Sequence, residues 1–146
     1  MSSQKHASVV WRGEGLEFDA KTGAGYSFAI RCPTSPEGAT PMELLLLGIA
    51  GCTGMDVISV LHKKRQRVHG LEVKIEGTQA SGTPNVFTTT KITFIVQGEN
   101  IDAAAVEHAI ELSKTKYCSA GIMFERAGVE ITTHYLIEST SLSQPQ

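Results

Sequence analysis

Residues 40–65, TPMELLLLGIAGCTGMDVISVLHKKR, constrain the fold more than any other stretch, because positions 44–55 are apolar or small on nearly every side. A surface helix buries one stripe, whereas a helix apolar all round has to be covered all round. Thr40, Pro41 and Glu43 mark the start with a capping hydroxyl, a first-turn proline and a capping-box carboxylate. Lys63, Lys64, Arg65 and Arg67 put positive charge at the negative pole of the helix, and His69 and Gly70 are expected to break the helical run. Thr53 and Asp56 interrupt the apolar run short of the roughly 20 residues needed to cross a bilayer, so no membrane association is expected. Gly48, Gly51 and Gly54 each cost about 0.5–1 kcal/mol relative to alanine in a helix, which predicts close backbone contacts there. At helical spacing Gly48, Cys52, Met55 and Ser59 share one face, with the Cys52 thiol looking out through the gap that Gly48 leaves.

Ahead of this helix, patches at 8–11, 16–18 and 26–30 alternate β-branched or aromatic residues between glycine-rich turns and predict an antiparallel meander. Beyond it, 71–77 and 87–96 read as a hairpin with one solvated face. Asn100 or Asp102 then caps a second helix, whose stripe is Ile101, Ala105, Val106, Ala109, Ile110 and Leu112. The pattern breaks over 116–120; 122–126 predicts a short helical turn before Gly128, and 129–137 a closing strand. The fold class is α+β, with helices packed on antiparallel sheet, in a single domain over 1–138 followed by a disordered tail at 139–146. One sheet covers a helix on one side only, so the all-round apolar helix predicts a homodimer.

A net charge of −2 without a basic cluster beyond the helix end argues against nucleic acid as a partner. The N-terminal residues lack the apolar core of a signal peptide, so a cytoplasmic setting is expected, where cysteines are more often catalytic or redox-active than cross-linked. Three cysteines are present: Cys32 in a loop before Pro33, read as an incidental exposed thiol, Cys52 in the central helix, and Cys118 at the break after the second helix. Cys52 and Cys118 are open to three readings. They are small core residues, or a peroxide-reducing pair that passes through a sulfenic acid and a disulfide, or zinc ligands; the last is disfavoured by the lack of CxxC or HxxxH spacing. The five histidines are scattered and read as structural or surface residues.

The run PMELLLLGIAGCTGMDV, followed much later by KYCSAG, resembles the OsmC/Ohr family of osmotically induced and organic hydroperoxide resistance proteins, and within it the YhfA-like branch. The resemblance implies an OsmC-like fold in which antiparallel sheets pack around a long central helix in an intertwined homodimer. It also implies a thiol pair that reduces organic hydroperoxides and is reset by an external dithiol reductant, with no metal or organic cofactor. On that basis Cys52 matches the peroxidatic position and Cys118 the resolving one. The family draws an arginine from the N-terminal strands to stabilise the thiolate. Arg12 is the candidate, Arg31 the second, and an exposed strand arginine the competing reading. Where the family places a glutamate after the helix-opening proline, this chain has Met42. Glu43 is the neighbouring candidate, yet helical pitch sets it on the face opposite Cys52 and about 13 Å along the axis, which favours capping. Asp56, one turn after Cys52, opposes thiolate formation or else holds an arginine. The alternative function is a protein of this fold that binds a small ligand without turnover.

Overall fold

The glycine-rich segments of the first thirty residues reverse the chain as expected. Strands β1 (Ala7–Trp11), β2 (Phe18–Thr22) and β3 (Ser27–Ile30) pair in sequence as an antiparallel meander. Gly13, Gly15 and Gly25 take positive φ at the turns, a conformation glycine adopts without strain. β2 lies later than expected. Leu16 sits exposed in the first turn, Trp11 pairs in register with Phe18, and the Trp11 indole N–H donates to the Gly15 carbonyl at 3.0 Å. The structure, a computed structural model, describes residues 2–35 and 37–139, and the chain divides into two compact units, one ending at Leu45 and the other beginning at Leu46.

Helix α1 (Pro41–Lys63) starts with the capping box its sequence spells. The Thr40 N–H and hydroxyl both donate to Glu43 Oε1, at 3.0 and 2.9 Å, and the Glu43 N–H returns to the Thr40 hydroxyl at 3.3 Å. Its end differs from expectation. Arg65 takes φ 59, the Arg65 N–H donates to His62 O at 2.9 Å, and the Gln66 N–H donates to Leu61 O at 3.0 Å. That is a Schellman closure, which satisfies the last carbonyls before Gly70 is reached. His69 and Gly70 belong instead to β4 (Arg67–Gln79), at a bulge where a Cβ on Gly70 would stand 2.5 Å from Gln97 Oε1.

β4 and β5 (Phe87–Glu99) form the expected antiparallel hairpin. Asp102 caps α2 (Ala103–Leu112) by accepting from the Ala104 N–H at 3.0 Å. One π-helical turn, Ser113–Tyr117, follows; Cys118 is extended, and α3 (Ser119–Arg126) leads through Gly128 into β6 (Glu130–Ser139). β6 pairs with β5 in parallel, so the β4–β5–β6 sheet is mixed rather than antiparallel throughout. The helical crossover between β5 and β6 is what a parallel connection needs. Ser139 completes β6, and the tail expected to be disordered otherwise lies outside the described residues.

Ile92, Phe94 and Val96 of β5 form one buried cluster with Ile49, Val57 and Leu61 of α1, Ala105, Val106, Ala109 and Ile110 of α2, and Ile131 of β6. α1 is long and apolar enough by length and composition to cross a membrane, but one of its faces belongs to this core. Its other face is open: Leu45, Leu47 and Met55 are exposed, Met55 at 76%. Of the three glycines of α1 only Gly54 meets a close neighbour, Val73 Cγ2 at 3.3 Å from where a Cβ would stand, while Gly48 and Gly51 meet nothing within 4 Å among the described residues. The close contact predicted at all three therefore holds at one.

Candidate functional site

Cys52 is half-buried on α1, and Asp56 follows it by one turn on the same side. Cys118 is 2% exposed and sits where the crossover changes direction. The π-helical turn ends with the Cys118 N–H donating to Ser113 O at 2.8 Å, the wide spacing that such a turn imposes. The Cys118 sulfur then caps α3, accepting from the Gly121 N–H at 3.3 Å, and a Cβ at Gly121 would lie at that same 3.3 Å from the sulfur. Through this geometry the two thiol sulfurs and a carboxylate oxygen of Asp56 come within 4.8 Å of one another. All three thiols are free.

Hydroxyls behind the cluster fix the carboxylate. Ser113 Oγ–H donates to Asp56 Oδ2 at 2.9 Å, and Thr53 Oγ1 lies 2.7 Å from Ser113 Oγ. A serine has one hydroxyl proton, and here it goes to the carboxylate, so Thr53 donates to Ser113. Thr53 and Ser113 are both buried, and this chain satisfies them. The partner found for Asp56 is thus Ser113.

Burial pushes the Cys118 thiol up to about 11; the Gly121 N–H opposes this, while the Cys52 thiol and the Asp56 charge add to it. Cys118 is therefore held as a neutral thiol at neutral pH. It also lines a cavity of about 20 Å³ with Ile49, Thr53, Ile110, Lys114 and Ile131, room for about one water molecule and no alkyl chain. Lys114 is tied down there by donating to the Ile131 carbonyl at 3.1 Å. Cys52 faces outward: Gly48, Met55 and Ser59, the residues expected to share its face, are all exposed.

Other candidates have partners of their own. Arg12 pairs with Asp19 at 2.6 Å and with Glu17 at 3.8 Å. Arg31, 10% exposed, pairs with Glu17 at 2.6 Å, and its buried Nε has no hydrogen-bond partner among the described residues. Glu43 is engaged in the capping box, the role its position favoured. Cys32 is half-buried, with its sulfur 3.2 Å from the Thr34 hydroxyl, whose hydrogen bond lowers that thiol's pKa. His69 is 3.1 Å from Glu99 Oε2. Ser113 is the site residue that sequence reasoning missed. The signal lay in Thr53 and Asp56, two polar residues at helical spacing inside an apolar run, which need a buried partner.

These features define a protein of the OsmC-like family, to which the chain belongs: its residues 34–134 match the family described as OsmC-like protein. Within the family it is similar to Protein YhfA of Escherichia coli strain K12, with 38% identity over 129 residues, 88% of this chain and 95% of that protein. Among solved structures it is similar to a hypothetical protein from Aquifex aeolicus VF5, with a TM-score of 0.85 and 26% identity over 96% of this chain and 100% of that one. It is also similar to the organic hydroperoxide resistance protein OhrB of Bacillus subtilis, with a TM-score of 0.64 over 92% of this chain and 98% of that one. At 15% identity the last likeness is one of fold.

Proposed function

We propose that this protein is a thiol-dependent peroxidase that reduces organic hydroperoxides through Cys52 and Cys118, in defence against oxidative stress. The observation behind the reading is the unequal pair of sulfurs within 4.8 Å, one facing outward and one buried. The Cys52 thiolate attacks the distal oxygen of ROOH; the O–O bond breaks, the leaving alkoxide takes a proton to give ROH, and Cys52 becomes a sulfenic acid. The Cys118 sulfur then attacks the Cys52 sulfur, its proton leaves with the hydroxyl as water, and a disulfide forms. An external dithiol returns both thiols and becomes a disulfide itself. Closing an S–S bond of about 2.05 Å needs only a local movement of the side chains from their present separation.

The substrate approaches along the exposed apolar face of α1 beside Cys52, since the cavity at Cys118 is water-sized. An alkyl hydroperoxide gains there by burying its chain, which hydrogen peroxide cannot do. Arg12 is proposed for the thiolate on the family resemblance alone; in the structure its partners are Asp19 and Glu17. A second copy of the chain is proposed to pack on the rest of this face, over Leu45, Leu47, Gly48 and Gly51, so that the substrate enters at its edge beside Cys52 and Met55, in a reducing cytoplasm that supplies the dithiol. A second reading, ligand binding without turnover, draws on the Asp56 carboxylate beside both sulfurs and on Met42 at the family's glutamate position.

Consumption of an organic hydroperoxide by purified protein with a dithiol tests the assignment. Wild type should turn over, Cys52→Ser should be inactive, and Cys118→Ser should stop after one equivalent with Cys52 as a sulfenic or overoxidised species. A wild type inactive with every peroxide and dithiol tried would overturn the peroxidase and leave the binding reading.

A further inference from the structure

We propose that Cys52, Asp56 and Cys118 form a binding site for a thiophilic divalent cation, zinc first among them, which the reduced protein holds and the disulfide excludes. The binding itself does not depend on peroxidase activity; only release by hydroperoxide rests on that reading. Among the described residues this is the one cluster of three metal-ligating side chains whose donor atoms lie within 4.8 Å of one another. Two thiolates and a carboxylate suit zinc, and a tetrahedral ion with Zn–S bonds of about 2.3 Å holds two sulfurs about 3.8 Å apart. The sulfurs therefore need to approach by about 1 Å at most.

The arrangement escapes the usual sequence spacings because its ligands come from two places. Cys52 and Asp56 are one turn apart on α1, as the two histidines of a helical zinc motif are, and Cys118 arrives from the crossover. The surroundings are built as a ligand shell. Ser113, itself held by Thr53, donates to Asp56 Oδ2 and leaves the other carboxylate oxygen for an ion, while the Gly121 N–H steadies the Cys118 sulfur. Cys52 and Asp56 are half-buried rather than sealed in, and water would fill the fourth position of a bound ion.

A disulfide removes both thiolates, so ion and disulfide exclude each other. With the organic hydroperoxide of the proposed activity as oxidant, the balance is one zinc dithiolate, one ROOH and two protons giving one disulfide, one ROH, one water and free Zn²⁺. Two electrons pass from the sulfurs to the O–O bond.

Titration of the reduced full-length protein with Co²⁺ under anaerobic conditions tests the site, because thiolate-bound tetrahedral cobalt absorbs in the near ultraviolet and the visible. One equivalent per chain should develop both bands, and Zn²⁺ should bleach them. Cys52→Ser and Cys118→Ser should lose the thiolate band, Asp56→Asn should weaken binding at least tenfold, and Cys32→Ser should match wild type, with circular dichroism checking each fold. Absence of the bands in wild type, their survival in Cys52→Ser, their loss in folded Cys32→Ser, or unchanged affinity in Asp56→Asn would each overturn the site. Should Cys118→Ser fail to fold, Cys52→Ser, at a half-buried position, decides. Release of cobalt by the thiol oxidant diamide but not by an organic hydroperoxide would support the metal site and refute the peroxidase.

Discussion

Cys118 should be the slowest of the three thiols to alkylate, by an amount that follows from its surroundings. Burial raises its pKa from 9.0 to about 11, and only the thiolate reacts. At pH 8 a thiol of pKa 9.0 is about 9% ionised and one near 11 about 0.1%, so Cys118 should react about 90-fold more slowly on ionisation alone. Cys32 supplies an internal reference that should react faster than an ordinary thiol, since its pKa is lowered by the Thr34 hydroxyl. The assay is timed iodoacetamide labelling of the reduced, metal-free protein, quenched, digested and read by mass spectrometry for the peptides that hold each cysteine. The Cys118 rate should climb about tenfold per pH unit from 8 to 10, because that range lies below its pKa. Labelling of Cys118 at the Cys32 rate at pH 8, or a plateau before pH 9.5, would refute the account of its burial and with it the division of roles between the two thiols.

Gly48→Ala and Gly51→Ala test the open face of α1: an added Cβ meets nothing within 4 Å in the isolated chain, so each should gain about 0.5–1 kcal/mol as a monomer. Sedimentation at varied concentration should show the same changes weakening self-association if a second copy packs there. Thr40→Ala removes the capping box and should cost about 1 kcal/mol at pH 7 in urea unfolding. The Thr40 N–H and hydroxyl hold Glu43 below its ordinary pKa, so the Glu43 contribution is present above the unfolded value and should fade as pH falls through the folded one. Ser113→Ala leaves Thr53 and Asp56 without their partner and should cost about 1–3 kcal/mol, read by the same unfolding assay.

The helix, its cap and the strand order were legible because each is written locally. Thr40 and Glu43 spell a capping box within four residues, and Asp102 stands directly ahead of an amphipathic stripe. The end of α1 was less legible. Arg65 takes the left-handed position that glycine usually marks, so the stop signal was sought too late, at Gly70. The parallel sense of β6 is a property of the crossover rather than of its own alternation, which reads the same in either direction. The two cysteines could be named from the chain, but their meeting depends on one π-helical turn that places Cys118 opposite α1, and nothing in SKTKY announces it. Ser113 stayed hidden for the same reason, since a serine at a helix end is ordinary until a carboxylate faces it.

The mixed sheet sets the order in which this site is assembled. β4 and β5 are neighbours in the chain and meet through a short connection, whereas β6 reaches β5 only after the whole crossover has been laid down. Local pairings form on microsecond scales, and pairings of high sequence separation wait for the entropy of loop closure to be overcome. Cys52 is carried by the helix ahead of the hairpin and Cys118 by the late crossover, so the sulfurs should come together in the closing stage of folding rather than at its nucleus. A substitution in the hairpin should then slow folding, and one in β6 should mainly hasten unfolding. Docking of the crossover therefore does two things at once: it brings the sulfurs together and raises the pKa of Cys118, which the partly folded chain leaves exposed and more readily ionised.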